Sequence, residues 1–263
     1  MRWNRIVSPA VTAAAMIATP LLERRGFGRR VMSTAVVSGL FTTTAERAVA
    51  RWGPWHAGAA AGSVFAATAA VERIGVRTGR LFGRYHYTGA LQPQIREVPV
   101  IVPMAWFAMA LPAREVAVAV LGDRATPWSR IVVGSAALTA WDAFLDPQMT
   151  AEDYWVWDQP GAYRAIPLQN YLGWFVTGLA VMALLEVLVP SRRRLPAGFI
   201  DAGAASGSVA GADPVLVGQY SFMAVMETIG FAAFFKDRVV AVVGGVAMVP
   251  ISIAAVVRLI RGR

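Results

Sequence analysis

Long uncharged, apolar stretches dominate this chain. Eight of them, each about 17–25 residues long, contain few or no charged side chains: residues 6–22, 31–48, 55–71, 98–121, 128–145, 168–189, 214–235 and 239–257. About 20 such residues in a helix cross the hydrocarbon core of a bilayer. Backbone exposed to lipid must also satisfy its hydrogen bonds within helices. The pattern therefore predicts an all-α fold, a polytopic transmembrane helical bundle with seven or eight spans and no β-sheet.

The first stretch and the connections leave some choices open. Arg2 and Arg5 precede the run 6–22, which is also typical of a cleaved signal peptide, although seven further spans would insert without one. Arginines are shared equally between alternate connections, so the positive-inside rule does not decide the orientation. We expect one integral-membrane domain over residues 1–263, with a flexible linker of small residues at about 192–213.

Composition supports a membrane environment and limits the chemistry. Apolar residues make up 56% of the chain and charged residues 16%, against about 25% charged in soluble domains. The net charge is +9, but the basic residues stand beside the apolar runs and not in one patch, so we expect a lipid bilayer and no nucleic acid as partner. The chain has no cysteine, which excludes disulfides, thiolate metal sites and cysteine nucleophiles.

Two acids interrupt the fifth apolar stretch. Asp142 and Asp146 are four residues apart and lie on one helix face, which also carries Ser135 and Thr139. Carboxyl groups in a bilayer are costly and usually functional, and two of them so close share a proton readily. We expect this face to turn toward an interior cavity. The alternatives are a polar seam between helices, or a helix end at Asp146-Pro147 that faces the lipid headgroups.

Two further acids stand at the ends or inside other stretches. Glu72 follows the third stretch, and Glu227 lies well inside the seventh. For Glu227 a functional role and a neutral carboxyl hydrogen-bonded to a neighbouring helix are equally favoured. Asn170 shares a stripe of the sixth stretch with Trp174, where it could place a water or join two helices.

Aromatic residues cluster in the two longest connections and beside them. One cluster comprises Tyr154, Trp155, Trp157, Tyr163, Tyr171 and Trp174, and the other Phe82, Tyr85, Tyr87 and Trp106. Their spacing favours an aromatic belt at the membrane interface. The alternative is a pocket whose ring faces stabilise a cation.

Redox and phosphate chemistry have little support in the sequence. His56 and His86 are the only histidines and cysteine is absent, so an iron centre has few ligands, and we expect neither a metal nor a cofactor. Gly75, Gly79 and Gly83 do not form a nucleotide-binding pattern. The Asp142 and Asp146 spacing is similar to one half of the magnesium-diphosphate site of membrane prenyltransferases, but a second Asp-rich motif is missing.

Two blocks of sequence resemble a known family. The first is Trp141-Asp142-Ala143-Phe144-Leu145-Asp146-Pro147-Gln148-Met149, followed by the aromatic residues 154–157 and the segment 161–174. The second runs from Glu72 to Trp106. Together they are similar to the membrane-integral carotenoid hydratases of carotenoid biosynthesis. The family pattern would have Pro in place of Leu81, and Gly in place of Glu97 and Asp153.

The resemblance implies an activity and roles for residues. It implies that water adds to the terminal isopropylidene double bond of an acyclic carotenoid, giving a tertiary alcohol. On this basis we expect Asp142, Asp146 and Glu72 to be catalytic. The residues expected to line the substrate pocket are Trp141, Trp155, Trp157, Tyr163, Tyr85, Tyr87, Trp106, Asn170 and Trp174.

The expected partners are a hydrophobic carotenoid, the lipid bilayer of a bacterial or archaeal cell and other membrane enzymes of the carotenoid pathway. Two alternatives stay open at this point. A prenyl-transferring enzyme similar to lycopene elongase would explain the aspartate pair, but would need a second diphosphate motif and magnesium. A non-enzymatic carrier or assembly subunit would explain the polar stripe and would leave pigments chemically unchanged.

Overall fold

The computed structural model describes residues 4–189 and 211–262, and helices carry most of them. The seven α-helices in these ranges are α1 (Asn4–Ala18), α2 (Phe27–Thr78), α3 (Ile101–Leu121), α4 (Pro127–Ala151), α5 (Leu168–Leu188), α6 (Pro214–Ile229) and α7 (Arg238–Arg261). Short 3₁₀-helices follow α1 at Thr19–Leu21 and α3 at Gly122–Arg124, and a π-helix extends α6 over Gly230–Phe234. The predicted all-α class is confirmed.

Five of these helices are long and apolar enough to cross a membrane: α2, α3, α5, α7 and α6 with its π-helical extension. The apolar residues before Leu21 form a shorter helix. Helix α4 has 25 residues, but Asp142 and Asp146 interrupt its apolar stretch and it is not among the five. The described part of the chain therefore has the helices of an integral membrane protein.

Helix α2 folds back on itself at Gly53. The backbone of Gly53 has φ 83° and ψ 162°, outside the helical range, and Pro54 follows it. Thr44 donates a hydrogen bond to the carbonyl of Ala108 on α3, and Glu72 accepts one from Trp106. Trp106 and Ala108 are only two residues apart on α3, so Thr44 and Glu72 lie close to the same part of that helix. In a straight helix Thr44 and Glu72 would be about 42 Å apart, at 1.5 Å per residue. The predicted second and third stretches are therefore two arms of α2, residues 27–52 and 54–78.

Successive helical segments run in opposite directions, so every second connection lies at the same end of the bundle. At one end the two long connections, residues 79–100 and 152–167, lie over the bundle, and we call this the capped end. Here Arg29 at the start of α2 pairs with Glu152 at the end of α4, and Arg164 before α5 pairs with Asp237 before α7. The two long connections thus lie on the same side of the bundle.

The cap contains short strands. Strand β1 (Tyr85–Tyr87) pairs antiparallel with β4 (Trp155–Trp157), and β2 (Gln94–Ile95) pairs with β3 (Val98–Pro99). The expectation that the fold has no β-sheet is therefore wrong in this region. Its signal was present in the sequence, since an aromatic residue at every second position has the period of a strand. Backbone groups outside the helices need partners, and pairing the two connections supplies them.

Helix α3 lies at the centre, with nearly all its residues buried. Pro112 inside α3 cannot donate a helical hydrogen bond to the carbonyl of Ala108. That carbonyl instead accepts from the Thr44 hydroxyl at 3.0 Å and from the Gln219 amide at 2.9 Å. Side chains from α2 and α6 thus satisfy the backbone group that the proline leaves free, and they fix both helices against α3.

A network of buried charges closes the end opposite the cap. Arg114 binds Glu115 at 2.7 Å and Glu186 at 3.0 Å, and Arg130 binds Glu186 at 2.5 Å. These pairs explain why two charges interrupt the fourth apolar stretch: they face partners in the protein and not lipid. Asp213 joins the network through its backbone N–H, which donates to Glu115 at 2.6 Å, and its carboxylate pairs with Arg47 at 2.6 Å.

Most of the predicted linker lies outside the described residues, which omit 190–210. Ala212 and Asp213, at its end, are buried. Asp213 accepts hydrogen bonds from the backbone N–H groups of Val215 and Leu216 and so caps the N-terminus of α6.

Candidate active site

A cleft of about 1370 Å³ of empty space lies beneath the cap. Its outer part is apolar and is formed by α1, the first arm of α2 and α6. Its inner part is polar and aromatic. The predicted site residues that line it are Glu72, Tyr85, Tyr87, Trp106, Trp141, Asp146, Trp155, Trp157, Asn170 and Trp174. The fold thus brings together residues from four helices and both connections.

Glu72 is held by three hydrogen-bond donors. Tyr85 and Tyr87 donate to its Oε2 at 2.5 and 2.8 Å, and the Trp106 indole N–H donates to Oε1 at 3.0 Å. Burial raises the pKa of both Tyr85 and Tyr87 well above the usual range of a phenol, and the charge of Glu72 raises it further. Both phenols therefore stay protonated and remain donors. An ionised carboxylate only accepts hydrogen bonds, so this cradle suits an anionic Glu72.

The two aspartates share one amide. The Asn170 side chain donates from Nδ2 to Asp142 Oδ2 at 2.9 Å and also to Asp146 Oδ2, while the Trp155 indole N–H donates to Asp146 Oδ1 at 3.1 Å. Asp146 faces the cleft. Asp142 lies behind it with 0% exposure, and its Oδ1 has no hydrogen-bond partner among the described residues. Asn170 therefore joins α5 to the aspartates of α4.

Other expectations for the polar face of α4 need correction. The helix continues through Pro147 to Ala151, so Asp146 does not stand at a helix end that faces headgroups. Ser135 donates to the carbonyl of Phe175 at 2.6 Å, and Thr139 donates to the carbonyl of Ser135. Neither hydroxyl lines the cleft. Of the four residues on the predicted face, the two aspartates belong to the site, because the hydroxyls bind backbone carbonyls.

Tyr163 is not among the residues that line the cleft. Its hydroxyl donates to the carbonyl of Ala143 at 2.9 Å. Pro147 is four residues further along α4 and has no N–H to offer that carbonyl. Partial burial raises the pKa of Tyr163 to about 12, so the hydroxyl keeps its proton. The contact of Tyr163 is thus with the backbone of α4, behind the aspartates.

The aromatic residues of the site pack against one another as cleft walls. Trp106 and Trp174 stack with ring centroids 4.0 Å apart, and Trp141 meets Trp174 edge-on at 6.2 Å. In the paired strands, Tyr85 lies 5.7 Å from Trp157, and Tyr87 lies 5.7 Å from Trp155. All of these but Tyr87 are buried. Their arrangement is therefore that of a pocket, and not of a belt facing headgroups.

Several cleft residues were not predicted from the sequence. They include Met223, Met226 and Phe235. Glu227 also lines the cleft, from α6, and is 7% exposed. Its side chain has no hydrogen bond or ion pair with any described residue. Among the residues that the structure describes, no three His, Asp or Glu side chains are grouped to hold a metal ion.

Comparison with known proteins identifies the family of this chain. A family model described as carotenoid biosynthesis protein matches residues 26–251. Over 162 residues, 61% of this chain, the sequence is 30% identical to the bisanhydrobacterioruberin hydratase of Haloarcula japonica, and the match spans 52% of that protein's length. No solved structure matches the chain. Because the family match covers both arms of α2, the cap and the acids of the cleft, the chain belongs to the carotenoid biosynthesis protein family.

Proposed function

We propose that this protein is a carotenoid hydratase, which adds water to the terminal isopropylidene double bond of an acyclic carotenoid end and forms a tertiary alcohol. The observation that carries the proposal is the pair of Asp142 and Asp146, bridged by one amide at the inner end of an aromatic cleft. The similarity to a protein named as a hydratase supports it.

The aspartate pair can supply and recover the proton that hydration needs. One carboxyl, as the acid, donates its proton to the CH carbon of the alkene, and the electron pair of the double bond forms the new C–H bond. The carbon that bears two methyl groups becomes a tertiary cation. Water bonds to this carbon through its oxygen and loses a proton to the other carboxylate. The pair thus ends each cycle with the one proton it held at the start.

Glu72 and the aromatic walls suit the cationic intermediate. Three neutral donors hold the Glu72 carboxylate, so a negative charge stands ready in a buried site, where it stabilises a nearby cation strongly or orients the attacking water. The ring faces of Trp141, Trp155, Trp157 and Tyr85 add cation–π stabilisation. No group in this scheme accepts or donates electrons, so we expect the reaction to need no cofactor.

The surroundings of the reaction follow from the same proposal. The substrate is a hydrophobic carotenoid, and the five long apolar helices place the enzyme in a membrane, in our proposal that of a bacterial or archaeal cell. Other membrane enzymes that make or consume acyclic carotenoids are the partners we expect.

The test determines whether the hydroxyl oxygen of the product comes from water or from molecular oxygen. Membranes that contain the protein and an acyclic carotenoid are incubated without oxygen, reductant or added metal, in water labelled with heavy oxygen. The expected product is a tertiary alcohol whose hydroxyl carries the label from water, identified by mass spectrometry. Label from molecular oxygen, or a strict need for reductant, would reject hydration. A magnesium-dependent gain of a prenyl unit would indicate the transferase alternative, and unchanged pigment in the presence of folded protein would indicate a carrier.

A further inference from the structure

The outer part of the cleft reaches the surface of the bundle through an apolar mouth. One side of this mouth is formed by the end of α1 and the 3₁₀-helix Thr19–Leu21, and the other by α6 and the π-helix Gly230–Phe234. Three large apolar cleft residues are exposed here: Ile17 (57%), Ile229 (51%) and Phe234 (53%). Apolar side chains that are exposed together at a rim are more stable in contact with hydrocarbon than with water.

Two polar side chains at the rim, those of Thr19 and Arg29, are bound within the protein. The Thr19 hydroxyl donates to the carbonyl of Ala15 at 2.7 Å. Arg29 is buried: it pairs with Glu152, donates to the carbonyls of Leu22 and Pro20 at 3.0 and 3.2 Å, and lies 5.7 Å from the ring of Phe235. The Arg29 charge is therefore neutralised, and a hydrocarbon chain would pass it without stripping water from a bare ion.

Both sides of the mouth are irregular helix ends. The Phe235 N–H donates to the carbonyl of Gly230, five residues back, instead of the four of an α-helix. Such π-helical turns are found frequently at functional sites. Opposite it, the 3₁₀-helix contains Pro20, which has no N–H to donate. The rim can therefore move without breaking a regular α-helical hydrogen-bond ladder.

From this continuity we infer that the carotenoid enters laterally from the hydrocarbon layer, end group first, through the mouth between Ile17 and Ile229. The end group then reaches Asp146 at the inner end of the cleft. The rest of the polyene stays in the outer cleft and in the bilayer, and the acid cluster acts on one end of the molecule at a time. This inference rests on the proposed hydratase function, because it takes an acyclic carotenoid as the occupant.

The absence of cysteine makes the mouth easy to test. Ile17→Cys and Ile229→Cys each introduce a single thiol at the rim. Ile253→Cys is the matched control, since Ile253 is also 57% exposed, on α7, and does not line the cleft. Each variant is modified in detergent-solubilised membranes with either a small methylthio group or a bulky aromatic group, both attached through a reversible disulfide, and the extent of labelling is measured by mass.

We expect the bulky group at either rim position to slow hydration by at least about tenfold, because an end group held short of the aspartates loses the benefit of proximity. Dithiothreitol should restore the rate, the methylthio group should slow it less than the bulky group does, and the control should not respond to either reagent. Undiminished hydration with the bulky group fully attached at both rim positions would overturn lateral entry while leaving the hydratase proposal intact.

A second measurement separates the two proposals when no alcohol forms. Adding an acyclic carotenoid should slow thiol modification of the Ile229→Cys variant and leave that of the Ile253→Cys variant unchanged. Slower thiol modification in the presence of carotenoid, with no alcohol formed, would support lateral entry and reject the hydratase proposal. Equal modification rates with and without carotenoid at both rim positions would reject the mouth.

Discussion

At the scale of single residues, the donors around each carboxyl distinguish the acids of the cleft. Glu72 receives three hydrogen bonds, whereas Asp142 and Asp146 share the amide of Asn170 and leave one oxygen of Asp142 without a partner among the described residues. The aspartate pair is thus better suited to gaining and losing a proton, and Glu72 to holding a negative charge.

We predict that Asp142→Asn and Asp146→Asn each slow hydration by about 10²–10⁴-fold, the range that general acid–base groups contribute. Asparagine keeps the size of the side chain but cannot exchange a proton in this way. Product per unit of inserted protein is measured in membranes, with Asp158→Asn in the exposed part of the cap as control. If both aspartate variants hydrate the carotenoid as fast as the unmodified protein, the aspartates do not handle the proton, and another carboxyl such as Glu227 becomes the candidate.

The two residues at which this chain departs from the family's glycines occupy glycine-like backbone positions. Glu97 has φ +74° and Asp153 has φ +58°. A side chain in this left-handed region costs roughly 1–2 kcal/mol. At these two positions the departures thus place side chains where the backbone favours glycine.

We predict that the free energy of unfolding of the Glu97→Gly variant is larger than that of the Glu97→Ala variant by about 1 kcal/mol, because alanine keeps the backbone strain that glycine relieves. Both changes remove the exposed ion pairs with Arg73 and Arg77, so the difference isolates the backbone. Unfolding in detergent is compared for the two variants. Equal stability, or a more stable alanine variant, would contradict the strain at this position.

At the scale of elements, α4 shows how a helix survives an internal proline. Proline inside a helix costs about 3 kcal/mol or more, through a lost hydrogen bond and a clash with the carbonyl four residues back. In α4 that carbonyl belongs to Ala143, and Tyr163 from the cap donates to it. The helix therefore continues beyond Pro147 and keeps Asp146 inside the bundle. The sequence alone allowed a helix end there.

We predict that Tyr163→Phe destabilises the protein by about 1–3 kcal/mol, the cost of leaving a buried carbonyl without a donor. The same change in a Pro147→Ala background should cost much less, because an alanine at this position supplies the helical N–H that proline lacks. The coupling between the two substitutions is measured as a double-mutant cycle in thermal unfolding. Additive effects would show that Tyr163 does not compensate for Pro147.

At the scale of the whole molecule, the folded-back α2 places both long connections at one end. Exposed residues of the cap and exposed residues of the turns near Gly53 and Gly122 should then lie on opposite faces of the membrane. In the cysteine-free chain, we predict that Gln92→Cys and Asp158→Cys react with a membrane-impermeant thiol reagent from one side of oriented vesicles. His56→Cys and Arg124→Cys should react from the other. Labelling of all four from the same side would refute this arrangement.

The sequence by itself determined the helices, the membrane environment and the acids. Apolar stretches, a four-residue spacing and aromatic clusters are local patterns, because helix formation depends on residues within a few turns. These patterns predicted every long helix among the described residues. Most of the residues expected at the site do line the cleft, and Asp142 meets it through Asn170.

Only the tertiary structure decided how these parts meet. The cradle of Glu72 joins residues 34 positions apart, Asn170 reaches Asp142 across 28 positions, and the strands of the cap pair across about 70 positions of sequence. Such contacts depend on the fold-back at Gly53 and on carbonyls freed by prolines, which attract donors from distant elements. Local periodicity carries no information about which distant hydrogen-bond donor will bind a free carbonyl. The cleft, its mouth and the separation of Tyr163 from it therefore came from packing alone.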